Sequence, residues 1–140
     1  VAAVFHDVLI VLSIFSIFYG ILPFSLEIDQ AFIAAILTII GYSLNDTVVV
    51  FDRVREYMGM HKKQEIETVM NNALNSTLSR TINTSMTTFF VLLVIFLFGG
   101  EVIRGFMFAL MIGVIVGTYS SLFVASPIML DTLKRKEEKR

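Results

Sequence analysis

The sequence predicts an all-α integral membrane protein: a bundle of four transmembrane helices with an amphipathic helix on its cytoplasmic side. Composition is the first reason. Apolar residues make up 56 % of the 140 and charged residues 16 %, and mean hydropathy is +0.79, values of the membrane class. Charge placement is the second. The charged residues are clumped, which leaves apolar windows long enough to cross ~30 Å of hydrocarbon, a distance that takes about 20 helical residues. The third is the distribution of Lys and Arg, which gather on one side if the windows alternate in direction.

Taken in order, the first span is Val1–Leu22, stopped by Pro23. The second is Ala31–Phe51, the third Thr81–Gly99 and the fourth Gly105–Leu130, with Pro127 near its end. Each window is too long for a buried strand, and continuous hydrophobicity at this length favours helix. "PFSLEIDQ" and "GEVIR" are the short connections, residues 52–80 the long one, and "DTLKRKEEKR" the charged tail at 131–140. Within the long connection, Ile66, Val69, Met70, Ala73, Leu74, Thr77 and Leu78 recur at helical spacing, opposite Glu65, Glu67, Asn71, Asn72 and Asn75. This pattern predicts an amphipathic helix over about 64–80, set off by "MGMHKK" and lying along the cytoplasmic surface, with docking of a partner as the other reading.

Ten of the eleven Lys and Arg lie in the 52–80 connection and the tail: Arg53, Arg55, Lys62, Lys63, Arg80, Lys134, Arg135, Lys136, Lys139 and Arg140. Only Arg104 lies on the other side. By the positive-inside rule both chain ends are therefore cytoplasmic. The chain begins at Val1 inside an apolar stretch, without a basic leader region, and is read as a piece of a longer protein. A net charge of −1 offers no field for nucleic acid. The absence of Cys excludes disulfides and thiolate metal sites. His6 and His61 stand far apart in sequence, so no metal cluster is expected. Neither a phosphate-binding G-x-x-x-x-G-K-[ST] loop nor a Ser–His–Asp constellation is present. No catalytic residue, enzyme activity or cofactor is expected.

The chemistry the sequence does carry is centred on "LNDTVVVFDR", where Asn45 and Asp46 interrupt the second span. Asp46 lies five residues inside Phe51 and has a side chain too short to reach water easily. An ionised carboxylate in hydrocarbon is costly. Asp46 is therefore either protonated or turned toward a bundle interior that holds water or a cation. Arg80, at the mouth of the third span, is the candidate partner. Arg53 and Arg55 are expected to reach the headgroups, and Asp52–Arg53 and Arg55–Glu56 to form a solvated face.

The third span opens on "TINTSMTT". Thr77, Thr81, Thr84, Ser85 and Thr88 fall on one helical face beside Arg80, widened by Asn83 and Thr87. Ser and Thr can satisfy themselves on the carbonyl four residues back. Five on one face, opposite an intramembrane Asp, favour a water-lined path. The fourth span instead carries Gly105, Ala109, Gly113, Gly117, Ser121 and Ala125, spaced strictly by four. Such a ridge of small residues permits close helix contact and is read as packing, with Tyr119, Ser120 and Ser121 adding polar groups nearby. His6 and Asp7 open the first span and are expected to meet water and headgroups, with a proton relay as the other reading.

"IIGYSLNDTVVVFDRVRE", "SRTINTSMTTFFVLLVIFLFGG" and "IRGFMFALMIGVIVGTYSSLFVASP" closely resemble the membrane segments of the SecD/SecF family of protein-export membrane proteins, within the resistance-nodulation-division superfamily. "HDVLI" fits the same family, and the resemblance covers nearly the whole chain. It points to the SecF side of that family, whose members have six membrane helices and a periplasmic domain between the first two. This chain would hold the last four helices. The resemblance implies the bacterial cytoplasmic (inner) membrane as location, and SecD, the SecYEG channel and YajC-type accessory subunits as partners. It also implies use of the proton-motive force to promote polypeptide translocation, with Asp46 and Arg80 as proton-pathway groups. A bracing subunit without its own ion path is the alternative, and sodium could replace the proton.

Overall fold

The computed structural model describes residues 1–61 and 64–138. Lys62, Lys63, Lys139 and Arg140, four of the cations counted above, lie outside the described residues. Helices account for nearly everything that is described: α1 (Ala2–Phe18), α2 (Gln30–Met60), α3 (Ile66–Phe98), α4 (Glu101–Ser120), a π-helical turn (Ser121–Ala125) and α5 (Ser126–Glu138). Three helical stretches are long and apolar enough to cross a membrane: Gln30–Met60, Ile66–Phe98 and Glu101–Lys136. α1 is apolar but shorter, at 17 residues.

The helix ends follow local chemistry. After α1 the chain turns at Gly20, whose φ of +73° suits a residue without a Cβ. Asp29 caps α2 by accepting a hydrogen bond from the Phe32 backbone N–H at 2.8 Å. α3 stops at Gly99, where a Cβ would stand 2.3 Å from the Ile95 carbonyl oxygen. The π turn precedes Pro127, which has no N–H for the Phe123 carbonyl, and a widened turn is one way a helix absorbs that loss. Ser126 Oγ donates to the Ser121 carbonyl five residues back, across the same turn, at 3.0 Å.

Two spans continue further than the hydropathy windows. α2 runs past Phe51 to Met60. The amphipathic stretch at 64–80 is not a separate helix, because α3 passes through it into the third span without interruption. No Gly or Pro occurs between Ile66 and Phe98 to break it. On its apolar face Val69, Met70 and Ala73 are buried, and Met70 and Ala73 form a small core with Val54 of α2, against which Met129 and Leu130 of α5 pack. Packing against protein therefore replaces the expected lipid surface for that face.

α2 and α4 form the central pair, with α1 packed across both on one side and α3 across both on the other. The ridge of α4 explains the closeness of that pair. Gly113 faces Ile39 so tightly that a Cβ would meet Ile39 Cγ1 at 2.2 Å, and Gly117 lies against Ser43. Gly105 abuts the Ser25 carbonyl of the first connection. Between apolar helices in lipid, such close van der Waals fit supplies much of the association. Leu26 folds back from that connection into the main core beside Phe15, Phe32, Ala109 and Leu110.

Candidate functional site

α2 presents Ser43, Asp46, Val50 and Val54 inward at helical spacing, so two polar groups enter the bundle within one turn of each other. Each meets a different neighbour. Ser43 turns to α1 and α4, where its hydroxyl donates to Asp7 Oδ2 at 2.6 Å. Ser120 of α4 donates to the same oxygen at 2.8 Å. Asp7 Oδ1 lies 3.2 Å from His6 Nδ1. Asp7 is 1 % exposed, so it does not meet water and headgroups as its place near the start of the span led one to expect. His6 remains partly exposed.

Asp46 is held differently. It is 6 % exposed, and its Oδ2 is the one buried side-chain oxygen or nitrogen without a hydrogen-bond partner among the described residues. The cation whose field acts on it is Arg80. The two form no ion pair within 4 Å among the described residues. Arg80 is exposed and lines a polar cavity of about 320 Å³ between α2 and α3, together with Asp52, Arg53, Glu56, Ser76 and Thr77. Arg53 is tied within that wall, to Glu56 at 2.6 Å and Ser76 at 3.1 Å, rather than to its neighbour Asp52.

The hydroxyl stripe of α3 divides. Thr77, Thr81 and Ser85 are buried. Ser85 forms a relay with Tyr42 of α2, which donates at 3.2 Å, and Thr118 of α4 at 2.6 Å. Thr84 is exposed and Thr88 half-buried, and each donates to its own helix, to the Arg80 and Thr84 carbonyls. Asn45 is exposed on the outer face of α2. On α4 and the π turn, Ala109, Gly113, Gly117 and Ser121 are buried and Gly105 half-buried. Ser121 is also a polar partner, with its Oγ 3.0 Å from Thr47 Oγ1.

Polar contacts thus collect at one level of the bundle, where α1, α2, α3, α4 and the π turn each contribute. A buried acid with a free lone pair and a cation nearby but out of pairing range can bind a proton, a water or a small cation without first breaking a contact. Among the described residues, no three His, Asp or Glu side chains gather as metal ligands. Sequence reasoning placed Asp7 at the water surface and did not single out Ser43, Tyr42 or Thr118. Ser43 could have been found, since it lies one turn before Asp46 on the same face.

Over residues 1–135 the chain matches the family described as protein export membrane protein SecD/SecF, C-terminal. It is 61 % identical to the protein translocase subunit SecF of Rhodothermus marinus, over all of this chain and 46 % of that one. With the protein translocase subunit SecF of Petrotoga mobilis it shares 45 % identity, over 99 % of this chain and 44 % of that one. The crystal structure of SecDF in super-membrane-facing form is similar at a TM-score of 0.82 and 38 % identity, over 99 % of this chain and 18 % of that one. The chain spans less than half the length of the two relatives.

Proposed function

The chain belongs to the SecD/SecF C-terminal family of protein export membrane proteins, and from that premise we propose that it forms the membrane part of a SecF-type translocase subunit. With SecD, this subunit uses the proton-motive force to promote polypeptide translocation across the bacterial cytoplasmic membrane. It crosses the bilayer four times with its tail in the cytoplasm. α1 serves as the fourth span, its 17 helical residues rising about 25 Å before the apolar Tyr19–Leu22. The long polar ends of α2 and α3 stand in the cytoplasm, and SecYEG and YajC-type subunits are the further partners.

The observation that carries this reading is the unpartnered Asp46 Oδ2. A carboxylate left open in a helix interior is suited to binding and releasing an ion, and Arg80 supplies a field that changes if the helices move. Transfer of one charge across the membrane releases about 2.3 kcal/mol per 100 mV, enough to shift two packings of similar energy. Protonation of Asp46 would weaken its attraction to Arg80 and let α3 settle differently on α2. Whether the ion is a proton or sodium does not alter this logic.

A second reading, a bracing subunit without an ion path, is favoured by the close fit of Gly113 against Ile39 between α4 and α2. The test is export of a reporter polypeptide into inverted vesicles holding the full-length subunit and SecD. Asp46→Asn abolishes the stimulation by membrane potential while the complex still assembles, if the transport reading holds. Stimulation at the unsubstituted level would establish the bracing role instead.

A further inference from the structure

We propose that Asp7 is a second proton-binding carboxylate of this membrane bundle, with the partly exposed His6 imidazole as its route to water and Ser43 as its link to the helix that carries Asp46. It deepens the ion-coupled reading above and rests on it for its purpose, although the binding of the proton can be tested without transport.

The geometry points to a site that accepts both protonation states. Asp7 Oδ2 receives the Ser43 and Ser120 hydroxyls at 2.6 and 2.8 Å, and Oδ1 faces His6 Nδ1 at 3.2 Å. No Lys or Arg pairs with Asp7 among the described residues. A permanently ionised acid this deeply buried would need a fixed cation beside it. Asp7 has instead an imidazole, whose charge is itself variable. In the ionised state the N–H on His6 Nδ1 donates to Oδ1. In the neutral state an O–H on Oδ1 donates back to Nδ1, while Oδ2, now a carbonyl oxygen, still accepts both serines. The proton crosses a single hydrogen bond and no other contact is broken. The balance closes: Nδ1 gives its proton to Oδ1, and Nε2 takes one from a hydronium ion of the bulk, leaving water, so the imidazole ends neutral with its proton on the other nitrogen.

The remaining charged groups on neighbouring elements leave this site to itself. On α2, Tyr42 is committed to Ser85, and Asp46 lies one turn beyond Ser43 on the same inward face. Asp52, Arg53, Arg55 and Glu56 lie further along α2. On α4, Glu101 and Arg104 sit at the opposite end and Tyr119 is exposed. The π turn carries no titratable group. On α1 the other titratable group is His6. Ser43, shared between the two acids' helix faces, couples them: what moves Ser43 for Asp7 also moves the turn that presents Asp46.

The test is infrared difference spectroscopy between acid and alkaline buffer on the full-length subunit with SecD in lipid vesicles. It reads the carbonyl band of protonated carboxyls, and all comparisons are made in an Asp46→Asn background, where no transport is required. Adding Asp7→Asn removes one further component of that band. His6→Gln keeps the component but slows its response to a pH jump about a hundredfold, the scale of a lost acid–base group. If Asp7→Asn does not assemble, Ser120→Ala decides, because it moves the midpoint of the component only if that component belongs to Asp7. A spectrum unchanged by Asp7→Asn, or a midpoint unmoved by Ser120→Ala, would overturn the proposal. The transport reading fails separately, through normal ion flux in Asp46→Asn.

Discussion

Asp7 and Asp46 are both acids in apolar helices and both withdrawn from solvent, at 1 % and 6 % exposure, yet the bundle treats them in opposite ways. Asp7 has partners for both oxygens, drawn from α1, α2 and α4. Asp46 leaves Oδ2 open and meets Arg80 only through its field. A carboxylate bound on every side fastens helices together in either protonation state and has no room for a further ligand. One with a vacant lone pair, and a cation near but out of pairing range, is open to a further ligand. Burial alone therefore does not tell what an acid can bind, whereas the count of satisfied lone pairs separates one open to a further ligand from one that can exchange only a proton with a partner it already has.

The largest expected effect comes from cutting the fastened acid. Asp7→Ala strips the Ser43 and Ser120 hydroxyls of their acceptor and should destabilise the complete complex by about 3 kcal/mol, read from its unfolding in detergent. Asp7→Asn retains an acceptor for both serines and should cost much less. Next comes the contact that lets α4 reach α2. Gly113→Ala drives a methyl to 2.2 Å from Ile39 Cγ1 and should cost about 2 kcal/mol. In an Ile39→Ala background the same Gly113→Ala change should cost much less, because the side chain it strikes is gone. Gly117→Ala meets Ser43 only at ordinary contact distance, 3.4 Å, and is expected to be mild in the same assay.

Asp46→Asn comes after these in stability, with a change within about 0.5 kcal/mol, because no hydrogen bond is lost. A loss as large as that of Asp7→Ala would erase the contrast between the acids. Smallest is the exposed pair of Glu67 and Lys134, which ties α3 to α5. The hydrogen bond from Lys134 holds the Glu67 carboxyl below its ordinary range. The folded value is thus depressed, so the pair's contribution is complete above the ordinary carboxylate range. It is lost only as pH falls through the depressed value. Spin-label distances between α3 and α5 should stay constant from neutral pH down to that acid window, and Glu67→Gln should remove the pH response.

Asp46 was legible in the sequence because it interrupts the second span well inside its boundary, where only ion chemistry or a buried partner explains it. Asp7 breaks an apolar run in the same way, but it lies near the run's start, where contact with water is an equally good account. Only the packing of three helices brings Ser43 and Ser120 onto one of its oxygens. The ridge of α4 was legible from its spacing of four, while its partner Ile39 was not, since periodicity shows a face and not what the face meets. Hydropathy changes sharply near Arg80, and this suggested a joint between a surface helix and the third span. The backbone has no breaker there, and α3 runs straight through. Thr84 and Thr88 share the stripe of Thr81 and Ser85 by spacing, but the stripe is wider than the buried strip of the helix, so its flank bonds to its own carbonyls.

The central claim is that Asp46 is left open in order to carry an ion. The most direct measurement is potential-driven proton and sodium flux through liposomes that hold the full-length subunit with SecD, comparing the unsubstituted complex with Asp46→Asn after assembly has been verified. The account predicts that flux through the variant falls to that of empty liposomes while the complex remains intact. Flux equal to that of the unsubstituted complex would contradict it, and Asp46 would then be a buried acid with a structural role alone.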